Sequence, residues 1–528
     1  MATTHSDHAF LPEERPLFPG SPYTPAHPTP RRIGYLCSAV AVGILGMLGN
    51  ALVTVNISPL AGGIGLYVAQ ANWLPAVFVA MNASANLLLI RARVQFGIPF
   101  VTRTLVLAYI AMALLQFVVP GFASAVAIRA AAGFAAAGLS TITLYFMVQA
   151  LPPARRGSAL ALGIMVPQLS TPLARLVPVE LLARDGWFGL HLLELAIALL
   201  ALVASSAMPL PPSDRSKAFT KMDLVTVALL MPAITLLCAT LNLGRTLWWF
   251  DTPWLGWMLA GSIVLFAAAV LVERGRERPL LHLDWMSSRD ILRFAMVAML
   301  VRIALAEQTY GAVGLLTSGG LNNDQLRVLF SFVLCAMACG ALVAAATVAP
   351  DRLRYLVMIA SLFIAAGAWL DSDASNLTRP PQLYLSQSLI GFGTCLFIGP
   401  ALLFGFLQMM QRGPDFLVSF VVLFSTTQNI GGLAGSALLG TLQTLWTRRH
   451  AEVLAEQLVA SDPRVIAQLQ QSASMLNQAI QREAGILAFN NVFGFVALLG
   501  ILTAAYLAFR IVSLERARRV AARLETAS

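Results

Sequence analysis

Charge is scarce in this chain. Of its 528 residues only 11% are Asp, Glu, Lys or Arg, whereas 58% are apolar, and the mean hydropathy is +0.75. Soluble globular domains carry about 25% charged residues, so a soluble fold, and a soluble enzyme with it, is excluded. Cysteine is equally sparse: Cys37, Cys238, Cys335, Cys339 and Cys395 all fall inside apolar runs, where they read as packing thiols rather than a disulfide framework. The six histidines show no metal-ligand spacing, since His5, His8 and His27 precede the first apolar run and the rest are scattered. Neither a phosphate-binding P-loop nor a nucleophile-base pair of suitable spacing is visible, so no metal and no cofactor is expected. The stretch before Arg31 is rich in proline and polar residues and lacks the apolar run of a signal peptide, which predicts a disordered tail.

What the chain has in abundance is long apolar runs. A helix needs roughly 20 apolar residues to cross about 30 Å of hydrocarbon, and it satisfies its own backbone on the way. The runs predict spans near 33–55, 71–90, 100–120, 124–149, 157–178, 187–207, 222–243, 254–272, 291–316, 326–348, 353–370, 382–408, 415–445 and 485–509. The fold class is therefore an all-α polytopic membrane protein with fourteen transmembrane helices. Pro167, Pro172, Pro178 and Pro400 sit where they would break helices near the midplane.

The net charge of +10 raises the question of nucleic acid, but the location of the charge answers it. With the N-terminus inside, 24 of the 35 Lys and Arg fall on the cytoplasmic side, among them Arg91, Arg93, Arg155, Arg156, Arg276, Arg352 and Arg412, and eight fall outside. This is the positive-inside bias, with both termini cytoplasmic, and it requires an even number of spans. Membrane lipids are the expected contact for these cations, and nucleic acid is not.

Two polar breaks, Pro209 to Asp223 and Glu273 to Arg293, divide the spans into six, two and six. The expected organisation is a disordered cytoplasmic tail (1–32), a six-helix bundle (33–208), a linker with two extra helices (209–290), a second six-helix bundle (291–509) and a basic cytoplasmic tail (510–528). Within the second bundle a long external segment, 447–484, reads as two short amphipathic helices either side of Asp462-Pro463, a lid or a docking surface for a partner.

Ionisable side chains inside spans are costly and mark function or helix pairing. Glu307 is one, a candidate for proton coupling or for sensing substrate charge, with Arg302 five residues earlier to stabilise its carboxylate; the alternative is a fixed structural ion pair between them. Glu194, three residues from His191, is a second candidate for a functional carboxylate or an interfacial residue near the outer surface, and Arg129 is a cation inside a span that could pair helices. Arg175 is read as an anchor for an anionic substrate group or a gap-filler. Asn50, Asn56, Asn82, Asn86, Gln168, Gln387, Gln428 and Asn429 are candidates to line a substrate cavity, although each singly is more often helix glue. Gly133 with Gly138, and Gly431-Gly432 with Gly435, permit close helix approach.

The chain resembles the EmrB/QacA-type fourteen-helix drug:proton antiporters of the major facilitator superfamily from about Asn50 to Phe509. The resemblance rests on Val55-Asn56 followed by Trp73, Arg129 followed by Gly133 with Ala132 in place of the family's glutamine, and Pro152-Pro153-Ala154-Arg155-Arg156 with the Ala-Leu-Ala-Leu after it. Trp187, Trp248-Trp249-Phe250, Pro279, Ser288-Arg289, Gly391, Pro400 and Gly431-Gly432 extend it. Asn86 to Arg93 stands where the family has an acidic loop motif and lacks the acid, and Ala174 to Pro178 replaces its glycine-rich antiporter motif.

The resemblance implies a major facilitator fold in a bacterial inner membrane, with the substrate site between two pseudo-symmetric bundles. It implies secondary active export of hydrophobic or amphipathic compounds by proton antiport, with Arg129 assisting proton transfer. A periplasmic membrane-fusion adaptor and a TolC-like outer-membrane channel are the implied partners. A transport-inactive scaffold or sensor, an importer and a lipid flippase are the alternatives.

Overall fold

The structure is a computed structural model that describes residues 14–16, 20–63, 65–119, 121–458, 461 and 463–525. Among the described residues every long element is a helix, and twelve helices are long and apolar enough to cross a membrane. The chain is thus a multi-pass membrane protein.

In chain order the helices are α1 (Thr29–Val55), α2 (Trp73–Phe96), α3 (Ile98–Val118), α4 (Phe122–Ala150), α5 (Arg156–Met165), α6 (Ser170–Ala174), α7 (Val179–Ala207), α8 (Lys221–Leu247) and α9 (Pro253–Arg274). They continue as α10 (Arg289–Ala304), α11 (Val313–Ser318), α12 (Arg327–Thr347), α13 (Leu353–Asp371), α14 (Tyr384–Met410), α15 (Leu417–Glu456) and α16 (Pro463–Glu525). Gly97 shows how tightly they are joined: its φ of +85° reverses the chain between α2 and α3, a conformation open to glycine at no steric cost.

Two expected spans are interrupted helices rather than continuous ones. Residues 157–178 comprise α5, a 3-10 turn at Val166–Leu169 and α6, because Pro167 has no N–H to give the α-ladder. Residues 291–316 comprise α10, a π-helical turn at Glu307–Ala312 and α11. Pro178 caps α7, whereas α14 continues through Pro400 without a break. The extra turn at Glu307 sits where Gly311 meets the Phe493 ring, 2.8 Å from where a Cβ would stand. Single π turns of this kind recur at functional positions.

Helices α1 to α7 pack chiefly on one another, as do α10 to α16, and the two groups meet where α2 and α5 contact α12, α14 and α15. Helices α8 and α9 pair and lie across α2 and α15. In lipid, close packing rather than expulsion of water holds such helices together. Gly133 of α4 makes this concrete, since a Cβ there would stand 2.6 Å from the Phe78 carbonyl oxygen of α2.

The loop after α9 is tied down by charge. Arg276 donates to Asp223 (2.5 Å) and Glu273 (2.6 Å), and Glu273 also accepts from the Leu280 and Leu281 N–H groups. Partial burial opposes the Arg276 charge, but its bonds to two carboxylates outweigh this and raise its pKa. The N-terminal segment is seated from residue 20 onward: the Tyr23 N–H donates to the Pro212 carbonyl (3.0 Å), and His27 pairs with Gln149 at 2.8 Å. Residues 1–13 and 17–19 of the expected tail lie outside the described residues.

The segment 447–484 is not a pair of separate surface helices. Helix α15 runs on through Thr447 to Glu456, and α16 carries 463–484 into the last span, with a non-helical φ/ψ only at Ser472. The first arm therefore extends a membrane helix without a break, whereas the second is divided at Ser472, where a short helix beginning at Pro463 meets the helix that enters the last span. Asp462 lies outside the described residues.

Candidate functional site

A cavity of about 220 Å³ lies at the seam between the two helix groups. From α2 it is lined by Asn82, Asn86 and Arg93, from α5 and the following turn by Leu160, Ile164 and Gln168, and from α10 and α15 by Arg302, Ser425, Gln428 and Asn429. Its walls are otherwise apolar, with Phe406, Phe420 and Phe424 on the C-terminal side. Asn86 Nδ2 donates to Ser425 Oγ at 3.1 Å, a bond that crosses the seam.

Five of the polar residues named as cavity candidates are on its wall: Asn82, Asn86, Gln168, Gln428 and Asn429. The other four are elsewhere. Asn56 is fully buried and its amide caps the Leu52 carbonyl at 2.9 Å within its own helix, while Asn50 points its oxygen into packed protein. Arg175 is a clasp between the helix groups instead of a substrate anchor: it donates to Asn323 at 2.9 Å and stacks 4.7 Å above the Phe330 ring. Its neighbour Val179 donates its N–H to Asp324 at 3.3 Å, so the same corner is tied twice.

Gln387 belongs to a different constellation. Its amide nitrogen lies 3.0 and 3.2 Å from the two Glu307 oxygens and 2.7 Å from Asp371 Oδ2. The three side chains are 0%, 2% and 1% exposed. Two carboxyl groups thus share a single amide donor inside packed protein, at the π turn that follows α10 and at the ends of α13 and α14. The second Asp371 oxygen is buried without a partner. Two like charges cannot comfortably share so small and dry a space, and no cation is among the partners of either carboxyl in the described residues.

Arg302 does not neutralise this pair. Its Nε donates to the Gln428 carbonyl at 2.9 Å and the side chain faces the seam cavity, so the expected pairing with Glu307 is corrected. Five residues on a regular helix correspond to about 140° of rotation, which places Arg302 and Glu307 on different faces of one interrupted element.

Arg129 and Glu194, singled out separately, form a buried ion pair, each 3% exposed, and Arg129 also reaches the Gly49 carbonyl at 3.4 Å. A second cavity, of about 500 Å³, opens between α1, α2, α3, α4 and α7 and is bounded by Arg129, His191 and Glu194. Helix α7 is bent beside it, where Gly186 and the buried Trp187 take φ values of +68° and +74°. Sequence reasoning missed two residues of these sites. Asp371 lies one residue beyond a span drawn to 370, and Arg93 was assigned to a loop, although α2 runs to Phe96 and buries it against the Tyr145 ring at 6.0 Å. No grouping of His, Cys, Asp and Glu fit to hold a metal occurs among the described residues.

Comparison with known proteins fixes the fold. No family profile matches the sequence. The fatty acid resistance protein FarB of Neisseria gonorrhoeae is 21% identical over 244 residues, 46% of this chain and 48% of that protein, so the match spans about half the length of the relative. Among solved structures, the human organic anion transporter MFSD10 (TETRAN) superposes with a TM-score of 0.51 at 13% identity, covering 90% of this chain and 100% of that one. A bacterial homologue of the human drug peptide transporters PepT1 and PepT2 gives 0.56 at 10% identity, covering 92% and 99%. A structure addressing substrate recognition in proton dependent oligopeptide transporters gives 0.58 at 11% identity, covering 91% and 99%. The chain therefore has the fold of major facilitator transporters.

Proposed function

We propose that the chain is a secondary active exporter of hydrophobic or amphipathic organic compounds, driven by proton antiport across a bacterial inner membrane. The observation that carries this reading is the placement of two sites on one interrupted helix. The seam cavity, apolar with a few polar groups, has the character of a small-molecule site, and Arg302 of α10 faces it. The Glu307–Asp371–Gln387 constellation begins five residues later, at the π turn. A substrate on one face and a proton on another both bias the same element, which is the physical requirement for coupling.

In this reading the interrupted segments 156–174 and 289–318 also cross, giving fourteen spans arranged as six, two and six with both termini cytoplasmic. Proton uptake at the acid pair and substrate binding at the seam favour opposite openings of the two bundles, and Arg175 with Asn323 closes the outer end. The similarity to FarB, whose name records fatty acid resistance, supports efflux. The projecting arms 447–456 and 463–484 are the surface proposed to meet a membrane-fusion adaptor leading to a TolC-like outer channel.

The direct test is direction of movement in vesicles of known orientation. Inside-out vesicles energised to an acidic lumen should accumulate an amphipathic dye above protein-free vesicles, and collapse of the pH gradient should release it. Accumulation in the opposite orientation alone would make the chain an importer. The absence of accumulation in both would leave a transport-inactive scaffold.

A further inference from the structure

The seam cavity carries a charge that export of amphipathic compounds in general does not require. Two arginines, Arg93 from α2 and Arg302 from α10, line it, and among its described lining residues none is acidic. Both approach from walls that are otherwise largely apolar, where a cation exerts a strong field on any ligand that displaces water.

The two arginines differ in how they are held. Arg93 lies seven residues beyond Asn86 on α2, about 10 Å along the helix axis at 1.5 Å per residue. It therefore sits near the Gly97 end of α2, with its guanidinium over the Tyr145 ring. Arg302 lies deeper. Its Nε is committed to the Gln428 carbonyl at 2.9 Å, which fixes the guanidinium plane and leaves the side chain on the cavity wall. Beside it the Gln428 side-chain nitrogen is buried without an acceptor.

One buried donor with no protein acceptor, the Gln428 nitrogen, thus stands beside the Arg302 guanidinium at a wall of phenylalanines. Donors left unsatisfied in such a place are costly unless a ligand meets them, and a planar guanidinium matches the oxygens of a carboxylate or sulfonate better than any neutral group.

We infer that this cavity selects amphiphiles bearing a single anionic head, whose oxygens are held by the terminal nitrogens of Arg302 and the Gln428 amide. The inference rests on the export reading and narrows its substrate class. The apolar tail lies along Phe406, Phe420 and Phe424. Arg93, about 10 Å along α2 from Asn86, draws the anion inward without holding it. A cationic amphiphile meets the same two arginines as a repulsive field and is rejected. Arg302 is a specificity residue, distinct from the acid pair that carries the proton.

The test compares three ligands of equal tail length, dodecanesulfonate, dodecanol and dodecyltrimethylammonium, on the full chain in nanodiscs, with binding to protein-free nanodiscs subtracted. Saturable binding of the sulfonate at least about tenfold tighter than of the other two is expected. Arg302→Gln should remove that preference, Arg302→Lys should keep most of it, and the unfolding temperature of each variant shows whether the fold survived.

Equal binding of all three ligands by the wild type, or tighter binding of the ammonium, overturns the inference without recourse to any variant. Running the same ligands in the vesicle assay separates the two claims. Export of the ammonium alone overturns the anion inference and leaves export standing. Arg302-dependent sulfonate binding with no transport of any ligand leaves the anion site standing and overturns export.

Discussion

The two halves of the molecule bury carboxylates in opposite ways. In the N-terminal half Glu194 is matched by Arg129, a cation against an anion, both 3% exposed. In the C-terminal half Glu307 and Asp371 face each other across the Gln387 amide, with no cation among their hydrogen-bond and ion-pair partners. Burial is similar and the electrostatics are not. A matched pair keeps its charges and resists change, because removing either partner strands the other in a dry interior. A pair of acids around one donor has no such balance. From this difference we propose a structural role for the first site and coupling for the second.

The largest expected effect breaks the first half of that contrast. Arg129→Met strands Glu194 and should cost about 3–5 kcal/mol, read as a marked fall in unfolding temperature in detergent, while the double variant Arg129→Met with Glu194→Met should recover most of the loss. Failure of the double variant to recover would mean that the pair acts in transport or assembly beyond balancing charge.

Next in size, Asp371→Asn should leave the fold intact, since it removes a like charge and keeps the shape. It should slow proton-coupled export by at least about tenfold, the rate equivalent of roughly 1.4 kcal/mol. The same export assay on Glu194→Gln, corrected for folded protein, should show a smaller loss.

The smallest effect lies outside the membrane. Burial lowers the pKa of His27 from its usual value near 6.5, and the bond to Gln149 offsets this only in part. The folded state thus binds this proton less readily than the unfolded chain does. The contribution to stability is present above about pH 6.5 and is lost as pH falls through the lower folded value. Protection from hydrogen exchange over residues 20–28, relative to the intrinsic rate at each pH, should fall between pH 7.5 and pH 5.5, and His27→Asn should flatten that dependence.

The helical architecture was legible because lipid imposes it: a run of apolar residues with no backbone partner but itself has one way to cross. The interruption at Pro167 was legible for the same local reason, a missing N–H. The π turn at Glu307 was not, since nothing in the local sequence marks it and Gly311 there packs against Phe493, nearly two hundred residues away. Ionisable residues in spans announced themselves, so Arg129, Glu194, Arg302 and Glu307 were each visible. Their partners were not.

Proximity in sequence put Arg302 with Glu307 and His191 with Glu194, whereas the chain pairs Arg302 with Gln428, Glu194 with Arg129 and Glu307 with Gln387. Asp371 and Arg93 escaped because a hydropathy boundary treats a charge at a helix end as loop. Both side chains are in fact buried, Arg93 through packing of its long stem and its ring contact.

The central claim is that the Glu307 constellation carries the proton and the seam cavity the substrate. It is tested most directly by substrate-dependent proton flux in proteoliposomes, comparing wild type with Glu307→Gln while binding of the same substrate is followed in parallel. Loss of proton flux with binding retained is the predicted result. Flux that persists undiminished in Glu307→Gln would contradict it and return the coupling role to Arg129 and Glu194.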